Sequence, residues 1–433
     1  MVIVESHREW KKFIVEFRKQ NSIVVPIQCD ENKHPLDTNL CLLYVKLLDG
    51  NLEEYVLPFR HSDAINLKDK YIKKTSTDMD VFTYDKKKLL HFVKWDNVVD
   101  MQMYYYMSKN EPLLIDDVTT NAHEYFYRTH YKTKNINCVI PMMKHIEWCR
   151  KLVDVLKVTI FEKPGSNSVF KIYNDDVIGN LQYIEQSGLQ TINGMVYSEY
   201  NPYTATGRPS NRFGGLNFAA LNKKDGSRKQ FISRFGKDGM LVEMDYDAYH
   251  LRLIGDEIGY KFPKGSVHKH MSKLYKVGYD EAKSLSFQYL YGHIPDDVLK
   301  KNPFFKKVQV HIDAIWSDYK SSNSVKSNIY SKWIRKENLS DMNKSKLFNY
   351  LIQLTETESN MRMLTKLIPK IDGYKSKLIL YSYDSFLFDF YMPDGLNFIH
   401  KMKKIIEQSG KFPVKVGKGW NYHEMKDITE KFK

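Results

Sequence analysis

Short apolar runs and helical stripes alternate along this chain. "SIVVPIQ" (22–28) and "LCLLYVKLL" (40–48) are dense in β-branched and aliphatic residues, and "DENKHPLDTN" between them carries turn chemistry. "EEYVLPF" (53–59) follows "LDGN" and extends the same sheet as a hairpin. "DKKKLLHFVKW" (85–95) and "VVDMQMYYYM" (98–107) read as helical or mixed. "MMKHIEWCRKLVDVL", Met142 to Leu156, places apolar residues at helical spacing. Turn-rich "EKPGSNS" (162–168) marks a soft boundary, and a loop-rich stretch runs through "NPYTATGRPSNRFGGLN" (201–217).

Beyond it the pattern predicts a strand "MLVEMDYD" (240–247), a helix "YHLRLIGDEIG" (249–259) and a helical block from His268 to about Trp333. A further helix covers Lys346 to Leu367. "SKLILYSY" (376–383), the turn "DS" and "FLFDFY" (386–391) form a hairpin. A last helix, "GLNFIHKMKKIIEQSG" (395–410), leads to the strand "FPVKVGKGW" (412–420). In "LVEMDYD" the strand period of two puts Glu243, Asp245 and Asp247 on one face if the strand stays regular. Asp384 sits where two apolar strands meet, at a hairpin tip. Two such carboxylates on adjacent strand ends offer hard oxygen ligands that suit Mg²⁺. The alternative for each taken singly is a strand-end turn former.

Composition widens the picture. The 433 residues carry a formal net charge of +14, with 30 Tyr and 23 Phe. That length suits two or three domains. Basic charge with many aromatics suits a partner bearing phosphates and stackable bases. The same bias also follows from an AT-rich genome. Cys29, Cys41, Cys138 and Cys149 are scattered with no CxxC pair, which disfavours zinc and disulfide frameworks and points to lone buried thiols. No signal-like or membrane-spanning apolar run is present, so the expected compartment is the cytoplasm, with no membrane partner.

Five motifs in order, from about Tyr203 to Asp389, resemble the polymerase core of the family A (DNA polymerase I-like) DNA polymerases. "TATGR" (204–208) is similar to the family's T-x-TGR-L-S loop, with "LNFAALN" (216–222) after it where the family has its PNLQNIP-like segment. "DYDAYHLRLIG" (245–255) stands where the family has DYSQIELRVLA, and "AKSLSFQYLYG" (282–292) resembles its K-x₃-F-x₃-YG helix. "FNYLIQLTETESNM" (348–361) and "YSYDSFLFD" (381–389) resemble its FNMPVQGTAADLM helix and VHDEL hairpin. "FPVKVGKGW" is similar to the last palm strand.

The resemblance implies an α+β fold: a right-hand palm built on an antiparallel sheet, with small helical fingers. It implies a template-directed DNA polymerase that extends a primer with dNTPs by two-metal nucleotidyl transfer. Asp245 and Asp384 would hold two Mg²⁺ ions, for which Mn²⁺ could substitute, with the Tyr246 carbonyl as a further ligand. Lys283 would contact the incoming triphosphate and serve as general acid, and Phe287 and Tyr291 would meet the sugar and base. DNA contacts would come from Arg208, Thr206, Asn217, Arg228, Gln353, Tyr383 and Gly292. Without that context, the Lys-Phe-Tyr spacing is that of a plain amphipathic helix.

Several positions depart from the family. Its 2′-hydroxyl-gating glutamate is His250 here, which puts ribonucleotide discrimination in question. Its fingers arginine falls on Tyr279, leaving His268, Lys273 and Lys276 as candidates for gripping the triphosphate. Tyr383 stands for its hairpin histidine and Ser385 for the following acid. Residues 1–157 resemble, mostly by apolar pattern, the α/β RNase H-like 3′–5′ exonuclease domain that precedes this core. Apolar and amide residues at Pro26 to Gln28 replace its D-x-E, and its later Y-x₃-D would fall near His145 and Cys149. Only Asp100 is a candidate surviving acid, so the expectation is a domain without proofreading. Residues 158–200 would be a reduced thumb, and 201–433 the palm, with fingers at about 262–340. A short thumb implies low intrinsic processivity and leaves room for a processivity or replisome protein partner. Compactness and divergence point to a phage or other viral source. The rival readings are a non-catalytic replisome subunit that binds primer–template DNA, and a specialised repair or ribonucleotide-tolerant polymerase.

Overall fold

The computed structural model describes residues 1–50, 53–115, 126, 129–161, 167–214, 216–335 and 341–432. The chain forms two compact units, Met1–Gly179 and Asn180–Lys433. The division falls inside the segment expected to be a reduced thumb, within a run of helix that includes Asn167–Ile172, a π turn at Tyr173–Val177, and Ile178–Ser187. Most of the turn-rich 162–168 stretch lies outside the described residues.

The first unit is built on a six-stranded mixed sheet. Its strands are β1 (Val2–Ile3), β2 (Ser22–Gln28), β3 (Leu40–Leu47), β4 (Glu54–Pro58), β5 (Val81–Thr83) and β6 (Val98–Asp100), in the spatial order β1-β4-β3-β2-β5-β6. β2, β3 and β4 form an antiparallel meander, and β5 and β6 add in parallel. β2 is buried along its whole length, and β3 nearly so. Their residues divide between two cores, one with Phe13, Ile14 and Phe17 of the His7–Phe17 helix, the other with Ile146, Leu152 and Leu156 of the Met142–Phe161 helix. A sheet covered on both faces needs continuous apolar runs rather than alternation, which is why these strands read so clearly in the sequence.

Two expectations for this unit change. The cysteines are free thiols, all but Cys138 buried, yet Cys29, Cys41 and Cys138 are not scattered: they meet one another, and the Cys41 thiol also donates to the Asn137 carbonyl at 3.3 Å. Chain crossings, not sequence spacing, bring them together. Asp100, the candidate surviving acid, is fully buried and committed to backbone. It caps the Met101–Lys109 helix by accepting from the Met103 amide at 2.7 Å, and its other oxygen accepts from the Lys86 amide at 2.8 Å. Asp100→Ala leaves both buried donors unpaired, so it should destabilise the protein by about 2–4 kcal/mol in denaturant melts.

The second unit is built on a five-stranded antiparallel sheet, in the order Lys377–Ser382, Ser385–Tyr391, Gly239–Tyr246, Val414–Gly419, Lys426–Asp427. On one face, Leu241, Ile379 and Leu387 pack with Phe218 and Phe231. On the other, Phe388 meets Phe398 of the Leu396–Ile406 helix, and the Tyr246 hydroxyl donates to the Ile406 carbonyl. Asp389, fully buried, is held by Arg234 at 2.7 Å and by the Ser233 hydroxyl.

A helical group over Val267–Tyr275, Tyr279–Tyr291, Asp296–Lys301 and Pro303–Ser322 shares a core with Leu251, Ile254 and Phe348. The expected helical block ends early, at Ser322. Asn323 turns left-handed, and Ser324–Lys326 pairs with Trp333–Arg335 as a hairpin whose Ile334 packs on Leu354. The Lys344–Leu367 helix is buried around its middle, polar residues included. Among the described residues no helix is long and apolar enough to cross a membrane.

Candidate active site

The central strand Gly239–Tyr246 delivers Asp245 to its end. Asp245 pairs across to Ser385 on one side and Lys415 on the other. Ser382 pairs with Ser385, so the hairpin turn is Tyr383–Asp384 rather than the expected "DS", and Asp384 is lifted to the tip. The Tyr246 amide donates to the Asp384 carbonyl at 3.0 Å, which locks the turn to the central strand. Tyr383 (φ 60°) and Ala248 (φ 53°) both adopt left-handed backbone, unusual for non-glycine residues. Asp245 and Asp384 border a cavity of about 200 Å³.

Burial first, then Asp384, then Glu243 push the Asp245 carboxyl up to about 7. Asp384 is open to solvent at the turn but flanked by protein; that enclosure, and then Glu356, raise its carboxyl as well. The nearest cation to Asp245 among the described ion pairs is Lys223, whose Nζ lies 4.0 Å from both Asp245 and Glu243. Asp247 lines the same cavity but is occupied by cations of its own. The strand ends at Tyr246, and Asp247 turns to Arg252 (3.1 Å) and Lys415 (3.3 Å). Burial opposes its ionisation, but these two cations outweigh burial and hold its carboxyl below the usual range. The cavity lining carries Asp245, Asp247, Glu356 and Asp384; Asp247 and Glu356 are paired closely with cations, whereas Asp245 meets only Lys223, at 4.0 Å, and Asp384 forms no ion pair among the described residues. Such a donor set fits a hard divalent cation, with Asp245 and Asp384 as its holders. The Tyr246 side chain is turned into the core, stacked on Tyr249 at 3.9 Å, so its backbone alone is available to the site.

The Tyr279–Tyr291 helix forms the opposite wall. Lys283, Phe287 and Tyr291 recur one turn apart and all face the cavity, with Phe287 and Tyr291 stacked at 5.9 Å. The helix ends at Gly292, where a Cβ would sit 2.9 Å from the Gln288 carbonyl, so no other residue fits without displacement. His268 reaches the cavity, but burial pushes its ring down to about 4, so it is neutral near pH 7. Lys273 and Lys276 are exposed and do not line the cavity. Lys415, on the strand Val414–Gly419, lines it together with Lys283 and Arg208, although the resemblance of "FPVKVGKGW" to a palm strand assigns it no role. Burial disfavours its charge, but Asp247 and then Tyr279 outweigh burial and hold its ammonium above the ordinary value.

Arg208 lies over the Tyr383 ring at 3.7 Å and pairs with buried Glu356 at 2.8 Å. His250 also faces Glu356, a residue with no counterpart in the motif reading. Arg228 is drawn inward instead of toward a surface phosphate. Its guanidinium covers Tyr422 at 4.2 Å, donates to the Leu221 carbonyl and lies 3.8 Å from Glu243, with 11% of the side chain exposed. Thr206, Asn217, Gln353 and Gly292 lie outside the cavity lining, each with part of its surface accessible.

A five-stranded antiparallel sheet thus presents Asp245 at a strand end and Asp384 at a hairpin tip, faced by a helix that carries Lys283, Phe287 and Tyr291. The chain is similar to the POL domain of Pol1 from M. smegmatis, solved in complex with DNA primer-template and dNTP. The TM-score is 0.67 at 11% sequence identity, over 98% of this chain and 100% of that one. That similarity shows the fold: mixed α/β, of the bacterial Pol1 polymerase-domain type. No protein-family model matches the sequence, and no match was found among curated proteins.

Proposed function

We propose that the chain is a template-directed DNA polymerase that adds dNTPs to a primer. The observation that carries this reading is the pair Asp245 and Asp384, both raised in pKa, in one cavity with Lys283, Phe287 and Tyr291. Divalent cations bound there, Mg²⁺ or Mn²⁺, would supply Lewis-acid stabilisation of phosphoryl transfer. The chain's own residues do the rest. Asp245, Asp384 and the Tyr246 carbonyl would hold the cations. Lys283 and Lys415 set positive charge against the triphosphate, and Lys283 is placed to give a proton to the leaving pyrophosphate. Phe287 and Tyr291 present flat apolar surface to the nucleotide, and Arg208 over Tyr383 faces the primer end. Extension of a labelled primer on a DNA template with dNTPs and Mg²⁺ tests this; bound but unextended primer–template would favour the replisome-subunit reading.

Lys415 makes the reading specific to this chain. Lys415→Ala should raise the KM for dNTP about tenfold with a smaller change in kcat, while Lys273→Ala leaves both unchanged in steady-state insertion assays. The first unit we read as an exonuclease-like domain without nuclease chemistry. Its sheet order and the capping role of Asp100 support this, as do Cys149, fully buried, and His145, whose Nε2 is paired with the Asn137 carbonyl.

A further inference from the structure

Three of the four free thiols come together in the first unit, where β2 ends and β3 begins. Cys29 directly follows β2. Cys41 falls where the β2–β3 register shifts, since Ile27 pairs with Leu42 and Gln28 with Leu40. Cys138 arrives from far along the chain, at the end of the short helical turn Ile136–Cys138. Its neighbour Asn137 clamps that turn to the strands. The Asn137 amide donates to the Cys29 carbonyl at 3.3 Å, and its Nδ2 donates to the Gln28 carbonyl at 2.7 Å. The Asn137 carbonyl accepts from the Cys41 thiol at 3.3 Å. Cys138 is thereby brought against both Cys29 and Cys41. Cys29 and Cys41 are buried, whereas Cys138 keeps part of its surface accessible. Cys149 is fully buried on the Met142–Phe161 helix, and burial alone acts on its thiol.

A cysteine reacts as its thiolate. The Cys29 thiol and then the Cys41 thiol donate to the Cys138 sulfur, outweigh burial and draw its proton affinity down. The same contacts keep Cys29 and Cys41 protonated. His61 is not the base that activates Cys138. Its Nε2 meets the Ile140 carbonyl at 3.0 Å, its Nδ1 accepts from the Asp63 amide at 3.1 Å, and burial lowers its pKa, so the ring is neutral and committed. The cluster therefore pairs one accessible sulfur of thiolate character with two protonated thiols already in contact with it. That division of roles, a nucleophilic sulfur beside a resolving one, is what the two steps of disulfide formation by a peroxide require.

We propose that Cys138 is an oxidation site for hydroperoxides, resolved by Cys29 or Cys41 to an intramolecular disulfide. The Cys138 sulfur attacks one peroxide oxygen and the O–O bond breaks. Cys138 becomes a sulfenic acid, and the departing oxygen takes a proton and leaves as water, or as an alcohol from an alkyl peroxide. The neighbouring thiol then gives up its proton, its sulfur attacks that of Cys138, the S–O bond breaks and water leaves. Two thiols are oxidised and one peroxide is reduced. Either disulfide closes a loop of about 100 residues and ties the turn ahead of the Met142–Phe161 helix to the central strands of the sheet. None of these residues lines the cavity of Asp245 and Asp384, so the inference stands apart from the polymerase reading.

The test exposes the reduced full-length chain to hydrogen peroxide, counts thiols in denaturant and maps the peptides without reduction. The count should fall from four to two, with Cys138 joined to Cys29 or Cys41 within one chain, and dithiothreitol should restore it. Cys138→Ser should slow thiol loss at least about tenfold, whereas Cys149→Ser should oxidise like wild type. Should Cys138→Ser melt below the assay temperature, wild type decides by itself: brief iodoacetamide treatment should label Cys138 about tenfold faster than any other cysteine. Equal labelling of the four overturns the proposal. So does a disulfide without Cys138, a link between chains, or oxidation that leaves no disulfide at all. Zinc found at one ion per isolated chain also overturns it, because thiols that hold a metal are not free to pair.

Discussion

Asp384→Asn lowers the single-turnover rate of primer extension by on the order of 10³-fold or more, and Asp245→Asn does the same. The amide keeps size and polarity but removes the anion that would hold a cation. Neither change threatens the fold. Asp384 stands exposed on a turn, and that turn is held by backbone pairing of Ser382 with Ser385 and by the Tyr246 amide. Asp245 lies at the end of a strand paired on both sides. Primer–template affinity, followed by fluorescence anisotropy, should stay within about threefold, because the contacts to phosphate come from other, cationic groups. This split between catalysis and binding separates an enzyme from a DNA-binding subunit. If both variants extend like wild type, these carboxylates are strand-end turn formers and the polymerase reading loses its chemistry.

The affinity for Mn²⁺ should rise steeply between pH 6 and pH 7.5 and then level off. The Asp245 carboxyl is raised from its ordinary 3.8 to about 7. A cation must therefore displace a proton below pH 7, and affinity should change by up to about tenfold per pH unit there. The same shift has a consequence for stability. Between about 4 and 7 the folded protein binds that proton more tightly than the unfolded chain does. Its stabilising contribution is complete below the unfolded value and is lost as pH rises through about 7. At pH 8 without metal, the folded protein holds repelling carboxylates, and Asp245→Asn should raise the melting temperature by a few degrees. The side chain is 35% exposed, so solvent screening limits the gain to on the order of 1 kcal/mol. Calorimetric titration with Mn²⁺ at pH 6 and 8, and melts of the metal-free variant at pH 5 and 8, measure both effects. Equal affinity at the two pH values would show that the carboxylates are not coupled as described.

The two units differ in how far their sequences could be read. β2 and β3 were legible because both faces are covered, so their apolar runs are continuous. The Lys344–Leu367 helix was legible in extent but not in environment. A buried middle carrying Thr355, Glu356, Thr357, Glu358, Ser359 and Asn360 breaks the amphipathic pattern that sequence reading relies on. The Ser324–Lys326 hairpin was missed because strands of three residues leave no period to detect.

Local order and covalent spacing are properties of the sequence. They placed Asp245 at a strand end, Asp384 at a hairpin, and Lys283, Phe287 and Tyr291 on one helix face, because a strand or helix fixes which near neighbours share a side. Relations between distant segments belong to the tertiary structure alone. Only the packed chain pairs Asp247 with Arg252, brings Lys415 to the cavity in place of Lys273 and Lys276, and draws Arg228 onto Tyr422. Only the packed chain threads Glu356 between Arg208 and His250, residues 148 and 106 positions away from it. The physical reason is that burial makes unpaired charge expensive. Each buried charge therefore takes the partner that packing puts within reach, and sequence spacing does not record that choice.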